Sequence, residues 1–279
     1  MAVLVFGASS QIGHFLLPRL LASGEPVQAL SRRPRTSSAE LTWLQGALPD
    51  RVPAVPALSA VLCCGPLPDL AAWLERTPLQ HSPRVVALSS MSVEAKRASA
   101  VAAERELAQQ LQAGEAALAR ACDRAHYAWT VLRPTLIYGA GLDRSLTPLA
   151  RRAARTRIFP LPAGRGLRQP VHADDVAQAM LAALECPDAA GRVLAIGGGE
   201  RLPARDMLAR VRGSVPCRSV PLPLPRWLLR CAGGVLPRWR GPLGRLQLDQ
   251  VADNTEVQQL LGIRPRPFQP DAATWGLPS

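Results

Sequence analysis

Lysine and tyrosine are almost missing from this 279-residue chain: it has one lysine, Lys96, and two tyrosines, Tyr127 and Tyr138, although its basic residues number 33. Aromatic residues of all kinds make up 4%. Apolar stretches are broken by Arg, Pro or Gly well short of the roughly 18 residues that a membrane-spanning helix needs, so no such helix is expected. The six cysteines form no Cys-x-x-Cys pair, which argues against a disulfide framework and against a zinc site. We therefore expect no metal.

The composition predicts a folded, globular protein. Apolar residues make up 48% and charged residues 19%, which excludes a disordered chain. The chain opens directly on an apolar, strand-like run without a basic region, so no signal peptide is expected. Together with scattered cysteines, which suit a reducing compartment, this predicts a cytoplasmic protein.

Positive charge is concentrated in the second half of the chain. Residues 1–140 hold 13 basic and 10 acidic side chains, whereas residues 141–279 hold 20 and 11. Such a half could face an anionic small molecule, nucleic acid or an acidic membrane surface. Nucleic-acid motifs are absent from the sequence, so nucleic acid is not expected as a partner. Segments 222–230 and 236–240 place Trp beside Arg, which suits either a membrane interface or short helices that cover a substrate cleft.

Short apolar runs alternate with helical patterns in the first half, which predicts an α/β protein with a parallel sheet. We expect a Rossmann-like, doubly wound core over residues 1–140, with a returning segment at about 168–196, and a smaller mixed substrate-side lobe over residues 141–279. Strands are predicted at 3–6, 27–30, 41–44, 60–63, 84–88 and 129–132. Helices are predicted at 12–22, at 95–124 with an interruption near Gly114, and from Val176, capped by Asp174 or Asp175.

A strand, a turn of small residues and a helix follow one another over residues 3–13, which is the arrangement that presents backbone N–H groups to a pyrophosphate. Gly7 permits the turn and Gly13 permits close packing of helix on strand. Ser10 stands where the usual motif has its middle glycine. The segment predicts a dinucleotide-binding loop.

The second predicted strand ends without the acidic residue that holds the ribose hydroxyls of NAD. Arg32 and Arg33 stand there instead. An arginine at this place can pair with a 2′-phosphate, so the sequence favours NADP(H) over NAD(H).

From these residues onward the sequence resembles the extended and atypical short-chain dehydrogenase/reductases, the NAD(P)-dependent epimerase/dehydratase family. Six segments carry the resemblance in the family's order: GASSQIG at 7–13, WLQGALPD at 43–50, ALSSMS at 87–92, LRPTLIYG at 132–139, RQPVHADDVA at 168–177 and IGGGE at 196–200. Within the second, Ala47 replaces an aspartate that contacts adenine in the family.

The motif residues and the resemblance together yield an expected set of contacts. Cofactor contacts are expected from Gly7, Ser9, Ser10, Gln11, Ile12, Gly13, Arg32, Arg33, Leu48, Cys64, Gly65, Ser89, Pro134 and Leu136. Arg133 and Arg168 are expected to bind an anionic substrate, for which the resemblance implies a nucleotide sugar. The resemblance is also compatible with a homodimer.

The family's catalytic Tyr-x-x-x-Lys pair has no counterpart anywhere in this sequence. By position, Leu111 and Glu115 appear at those two places on the long helix. Tyr138, Ser90 and His172 are the candidate catalytic residues, with Lys96 as a further source of a proton.

Two hypotheses therefore stay open. One is an atypical NADP-dependent oxidoreductase or epimerase with a rearranged catalytic centre. The other is a non-catalytic NADP(H)-binding sensor, assembly or scaffold protein, peripheral to a membrane if the Trp–Arg segments bind lipid.

Overall fold

A computed structural model describes residues 1–55, 57–224 and 248–278. Its strands, in chain order, are β1 (Ala2–Phe6), β2 (Val27–Ser31), β3 (Leu41–Gln45), β4 (Leu58–Cys63), β5 (Arg84–Leu88), β6 (Trp129–Pro134), β7 (Ile137–Tyr138), β8 (Ile158–Pro162), β9 (Leu167–Arg168), β10 (Val171–His172), β11 (Arg192–Ile196), β12 (Leu202–Pro203) and β13 (Val220–Leu224). Its α-helices are α1 (Gln11–Ala22), α2 (Leu67–Arg76), α3 (Ser92–Ala95), α4 (Ala102–Arg124), α5 (Leu146–Thr156), α6 (Ala173–Glu185), α7 (Ala204–Gly213) and α8 (Thr255–Leu261).

Seven strands form one parallel sheet in the order β11-β6-β5-β4-β1-β2-β3. From β1 the chain builds outward through β2 and β3, then crosses to β4 on the other side of β1. This reversal leaves a crevice at the carboxyl end of β1, where open α/β sheets bind their ligands. The predicted Rossmann-like α/β fold is confirmed, with β11 joining the sheet beside β6.

Both faces of the sheet are covered by helices, which explains why β1 is buried at all five positions and reads as a continuous apolar run. One buried cluster joins the sheet to α1, α6 and α8. The other joins it to α2 and α4. The observed strands agree closely with the predicted ones, and the central strands lie between two apolar layers.

The predicted long helix over 95–124 is divided in the structure into α3 and α4. The break follows from Ser99, whose hydroxyl donates to Glu104 at 2.6 Å and accepts the N–H of Val101 at 3.2 Å, a local turn that starts α4 afresh. Gly114 does not interrupt α4. A Cβ there would lie 3.0 Å from the ring of Pro68 on α2, so this glycine allows the two helices to pack closely.

Helix α6 begins three residues earlier than predicted, and its cap is a different residue. His172 is the N-cap: its Nδ1 accepts the N–H of Asp174 at 3.1 Å. Asp174 and Asp175 lie in the first turn and bind cations from elsewhere in the chain. Arg19 of α1 donates two hydrogen bonds to Asp174, and Arg266 donates to both aspartates.

This network gives a prediction for acid stability. Burial alone would raise the pKa of Asp174, but hydrogen bonds from Arg266 and Arg19 outweigh it and the pKa is lowered. The stability that the charged carboxylate contributes is therefore present in full above the unfolded pKa, about 3.9, and is lost as the pH falls through the lower folded value. We expect the free energy of unfolding of the wild type to fall in that acid range. Asp174→Asn should be less stable at neutral pH, and its free energy of unfolding should depend less on pH in the acid range.

Urea unfolding at a series of pH values measures this. Asp50→Asn is the matched control, because Asp50 pairs with Arg76 at an exposed site where an ion pair contributes about 0–1 kcal/mol. Equal acid limbs for wild type and Asp174→Asn would contradict the prediction.

A third buried cluster lies in the carboxyl-terminal half and includes Tyr138, Phe159, Phe268 and Trp275. The short parallel pair β8–β13 borders it. The Trp–Arg segments at 222–230 and 236–240 fall mostly outside the described residues. Within the described part of the chain, no helix is long and apolar enough to cross a membrane.

Candidate functional site

The predicted cofactor loop follows the carboxyl end of β1 and lies beside the crevice there. Gly7 has φ +76°, and a Cβ there would lie 3.0 Å from the carbonyl carbon of Cys64 after β4. At Gly13 a Cβ would lie 2.2 Å from the carbonyl oxygen of Ala8. Both glycines are thus required by close backbone approach, as the sequence predicts.

Ser10 takes the place of the middle glycine without strain. Its backbone is extended (φ −78°, ψ 172°), a conformation that any residue adopts. Its hydroxyl turns back on the helix and accepts the N–H of Gly13 at 3.2 Å, which makes Ser10 the N-cap of α1. Serine in place of glycine at position 10 therefore adds a helix cap, and the order of strand, turn and helix is kept.

Two buried polar atoms at this edge of the sheet have no hydrogen-bond partner among the described residues: Gln11 Oε1 and Ser89 Oγ. Gln11 opens α1, and Ser89 follows β5, where its N–H donates to the carbonyl of Leu132 at 2.8 Å. Buried polar groups are nearly always paired, so two orphans beside a dinucleotide loop fit a polar ligand. The residues present are compatible with a nicotinamide dinucleotide.

A cleft of about 410 Å³ continues from this edge between the sheet and the carboxyl-terminal half. It is lined by Gln11, Ser90, Met91, Ser92, Ala95, Lys96, Pro134, Thr135, Leu136, Ile137, Asp143, Arg144, Ser145 and Gln250. The lining combines the segment after β5, the segment after β6 and the loop that precedes α5. The structure thus brings the predicted residues Gln11, Ser90, Pro134 and Leu136 to one cavity.

Of the three candidate catalytic residues, only Ser90 lines this cleft. Its hydroxyl oxygen accepts the N–H of Ser92 at 3.1 Å. Tyr138 is 1% exposed and packs edge-on against Phe268 and His172 at centroid distances of 4.8 and 5.1 Å. Burial raises the pKa of Tyr138, with Asp175 adding to the shift. A core phenol of this kind is poorly placed to exchange a proton with a ligand.

His172 is also used structurally. Its Nδ1 caps α6, and its ring lies 5.1 Å from the ring of Phe15. Burial lowers the pKa of His172 and nearby Arg266 lowers it further, so the neutral ring that accepts the Asp174 N–H is favoured. This geometry is that of a structural histidine, which caps a helix and packs against an aromatic ring.

Arg133, predicted to bind substrate, is partly buried and paired with two carboxylates. Its guanidinium donates a bidentate pair of hydrogen bonds to the buried carboxylate of Glu115 on α4 and a third, at 2.9 Å, to Glu94. The Glu115 bond is the main cause of a raised pKa for Arg133. Glu115, assigned by position to the family's lysine, is thus the counter-ion of a partly buried arginine.

Arg168 is 5% exposed. Its Nη1 donates to the carbonyl oxygens of Leu167 and Leu248, each at 2.7 Å. This arginine ties β9 to the backbone of Leu248. Both arginines expected to meet an anionic substrate are therefore engaged in internal hydrogen bonds.

Sequence reasoning left out several residues that line the cleft, among them Asp143, Arg144 and Gln250. Asp143 is buried and accepts the N–H groups of Ser145, Leu146 and Thr147, which caps α5. An Asp shortly before an apolar helical pattern is a start signal for a helix and could have located this loop. Nothing in the sequence indicated that the loop would face the end of β5.

Residues 69–197 match the sequence model of the NAD dependent epimerase/dehydratase family. This confirms the resemblance found in the sequence. No curated protein matches the chain.

Solved structures with the same fold cover almost the whole chain. MoeE5 in complex with UDP-glucuronic acid and NAD has a TM-score of 0.73 at 20% identity, over 98% of this chain and 97% of that one. UDP-glucuronic acid 4-epimerase from Bacillus cereus in complex with NAD has a TM-score of 0.70 at 16% identity, over 95% and 94%. UDP-glucose 4-epimerase from Thermotoga maritima, solved with UDP-glucose, has a TM-score of 0.69 at 17% identity, over 95% and 94%.

The prediction of NADP(H) over NAD(H) is wrong. MoeE5 and the Bacillus cereus epimerase are both solved with NAD. The side chains of Arg32 and Arg33 are both exposed. The backbone N–H of Arg33, and not its guanidinium, donates to the hydroxyl of Ser31 at 3.2 Å. In a chain rich in arginine, two exposed arginines after β2 are weak evidence for a 2′-phosphate.

Proposed function

We propose that this protein binds NAD(H) across the carboxyl edge of its sheet and an anionic substrate of the nucleotide-sugar class in the adjoining cleft, as an oxidoreductase or epimerase with a rearranged catalytic centre. The solved proteins of the same fold that bind UDP-sugars and NAD support this substrate class. The Gly7–Gly13 loop and the β1 crevice support the cofactor.

One observation carries the proposal: Gln11 and Ser89, at the carboxyl edge of the sheet, have buried side-chain oxygens without a partner among the described residues, and Gln11 also lines the cleft. A polar ligand that satisfies them recovers the hydrogen bonds that folding left unmade. Glycines at positions 7 and 13 permit the close backbone approach that a pyrophosphate requires.

Bound NAD would supply a hydride acceptor, and this chain would hold and orient it. The amino-terminal end of α1 would meet the pyrophosphate. Further expected contacts are Ser9, Ile12, Cys64, Gly65 and Leu48. Pro134 and Leu136 would flank the nicotinamide end and limit the access of water. Ser90 and Ser92 would present hydroxyls to a substrate hydroxyl.

Replacing Ser89 with alanine tests the cofactor site. Because Ser89 Oγ has no partner in the part of the chain that the structure describes, its removal should leave the free energy of unfolding unchanged or slightly increased. If the hydroxyl binds the cofactor, NADH affinity should fall about tenfold, the value of one hydrogen bond. Calorimetric titration with NADH and urea unfolding measure the two effects.

Ser219→Ala is the matched control, since Ser219 Oγ is also buried and unpartnered among the described residues but follows α7, far along the chain from the loop. We expect it to leave NADH affinity unchanged. Equal NADH affinities for Ser89→Ala and wild type would remove Ser89 from the site, and no binding of NADH to the wild type would refute the proposed function.

A non-catalytic NAD(H)-binding role is the second candidate, and the burial of Tyr138 favours it, because the chain has no Tyr-x-x-x-Lys pair to replace it. Incubation of the NAD-loaded protein with UDP-glucose or UDP-glucuronic acid separates the two candidates. Formation of an epimer or of reduced nicotinamide supports the enzyme. Binding of both ligands without turnover supports the non-catalytic role.

A further inference from the structure

We infer that Lys96 and Arg144 form a two-sided clamp for an oxyanion group of the substrate, with one cation on each wall of the cleft. This inference rests on the proposed function and assigns its substrate-binding cations. Lys96 ends α3 on the side of the sheet, and Arg144 lies in the loop before α5 on the side of the carboxyl-terminal half. Both line the same cavity of about 410 Å³.

The first step of the argument is charge. Lys96, Arg144 and Asp143 are the ionisable residues among those that line the cleft. The carboxylate of Asp143 already accepts hydrogen bonds from three backbone N–H groups at the start of α5 and from the hydroxyl of Thr147. Its charge is thereby stabilised by the helix it caps. The described lining thus carries two cations and one anion, and this positive balance favours an anionic ligand.

The second step is that the other arginines expected at the substrate are engaged elsewhere. Arg133 binds Glu115 and Glu94, and Arg168 binds two carbonyl oxygens. Neither lines the cleft. An anionic substrate in this cavity therefore meets Lys96 and Arg144 in place of the arginines predicted from the motif segments.

The third step concerns the position of Lys96 relative to the hydroxyls. The backbone N–H of Lys96 donates to the carbonyl of Ser92 at 3.1 Å, and the N–H of Ser92 donates to Ser90 Oγ at 3.1 Å. One short turn thus holds the ammonium stem and two hydroxyls on the same wall. Phosphate and carboxylate oxygens accept from both kinds of group, and charge-assisted bonds are the stronger ones.

Amine labelling tests the clamp, because Lys96 is the single lysine of the chain. Acetylation followed by mass spectrometry reports on Lys96 and on the exposed amino terminus, which serves as an internal reference. Inorganic pyrophosphate, free glucuronate, UDP-glucose and UDP-glucuronic acid are the probes. We expect at least one of them to protect Lys96 and to leave the amino terminus unprotected. Protection by pyrophosphate and UDP-glucose identifies a diphosphate, and protection by the glucuronate-containing probes alone identifies a carboxylate.

Binding measurements on variants complete the test. Lys96→Met and Arg144→Met should each weaken the protecting probe about tenfold or more, as expected for the loss of a charge-assisted hydrogen bond, and Lys96→Arg should retain most of the affinity. Arg152→Met removes the same charge at an exposed position of α5 outside the cleft lining and should have no effect. The clamp is overturned if no probe protects Lys96, or if Lys96→Met and Arg152→Met bind equally.

NADH titration of the same proteins separates this result from the fate of the proposed function. If the wild-type protein binds NADH but no probe protects Lys96, the clamp is rejected and the cofactor site is retained. Wild-type protein that does not bind NADH loses the proposed function itself.

Discussion

Replacing Gly13 with alanine is expected to destabilise the protein by about 3 kcal/mol, the upper part of the range for overpacking a rigid site, and to abolish NADH binding. The added Cβ would lie 2.2 Å from the carbonyl oxygen, 2.4 Å from the carbonyl carbon and 2.7 Å from the Cα of Ala8. All three are backbone atoms of the turn itself. Relief of the contact therefore has to move the loop that the cofactor would bind.

Urea unfolding and NADH titration measure both effects. Gly213→Ala is the matched control, because a Cβ at Gly213 meets nothing within 4 Å at the end of α7. Alanine is a better helix former than glycine by up to about 1 kcal/mol, so this variant should be as stable as the wild type or slightly more so. A Gly13→Ala protein with wild-type stability and NADH affinity would contradict the close approach of α1 and β1.

Replacing Glu115 with leucine should cost about 3 kcal/mol of unfolding free energy, since it leaves the guanidinium of Arg133 without its main partner. The side chains of Arg133 and Glu115 are 19% and 7% exposed. Arg133 keeps its bond to Glu94, whose side chain is 58% exposed, and this limits the loss. The same reasoning warns against restoring a lysine at 115 as a way to rebuild the family's catalytic pair.

Two comparisons make the Glu115 result specific. Glu75→Leu breaks the exposed pair with Arg124, whose side chains are 43% and 63% exposed, and should cost less than about 1 kcal/mol. The double variant Glu115→Leu/Arg133→Met removes both charges and should recover much of the lost stability. A double variant less stable than Glu115→Leu alone would show that Arg133 acts through contacts other than this pair.

The central strands of the sheet could be predicted from the sequence because they are buried on both faces. Residues 3–6 and 85–88 are apolar at successive positions, a pattern that depends on burial alone. Gly7 and Gly13 could be predicted for a similar reason, because each answers a local backbone requirement within one turn.

The starts of α4 and α6 could not be predicted in the same way. Ser99 could equally have continued a helix, and its turn is fixed by a bond to Glu104 formed only when α4 exists. Asp174 and Asp175 satisfy the rule for a helix cap, yet they bind Arg19 and Arg266, which are 155 and 92 residues away from Asp174. Partners at such separations are invisible to local pattern reading.

The internal hydrogen bonds of the two arginines expected at the substrate could not be predicted for a related reason. Arg133 and Arg168 lie in motif segments. A motif identifies the position of a residue in the chain, but it does not determine which group the charged side chain binds. Glu115 and the carbonyl of Leu248 come from other parts of the chain, and only the carbonyl of Leu167 is local. Lys96 and Arg144 belong to no motif segment, and only the fold brings them to one cavity.

The carboxyl-terminal residues also bear on the order of events during synthesis. Arg266 completes the ion-pair network that holds α6 to α1, and Trp275, fully buried near Tyr138, belongs to the third cluster. A ribosome that has not yet reached Arg266 therefore carries an α1 and an α6 whose acidic turn lacks one of its two cations. Domains fold largely as units during synthesis. In this chain the sheet stays incompletely covered until α8, more than 50 residues after its last strand, has been made.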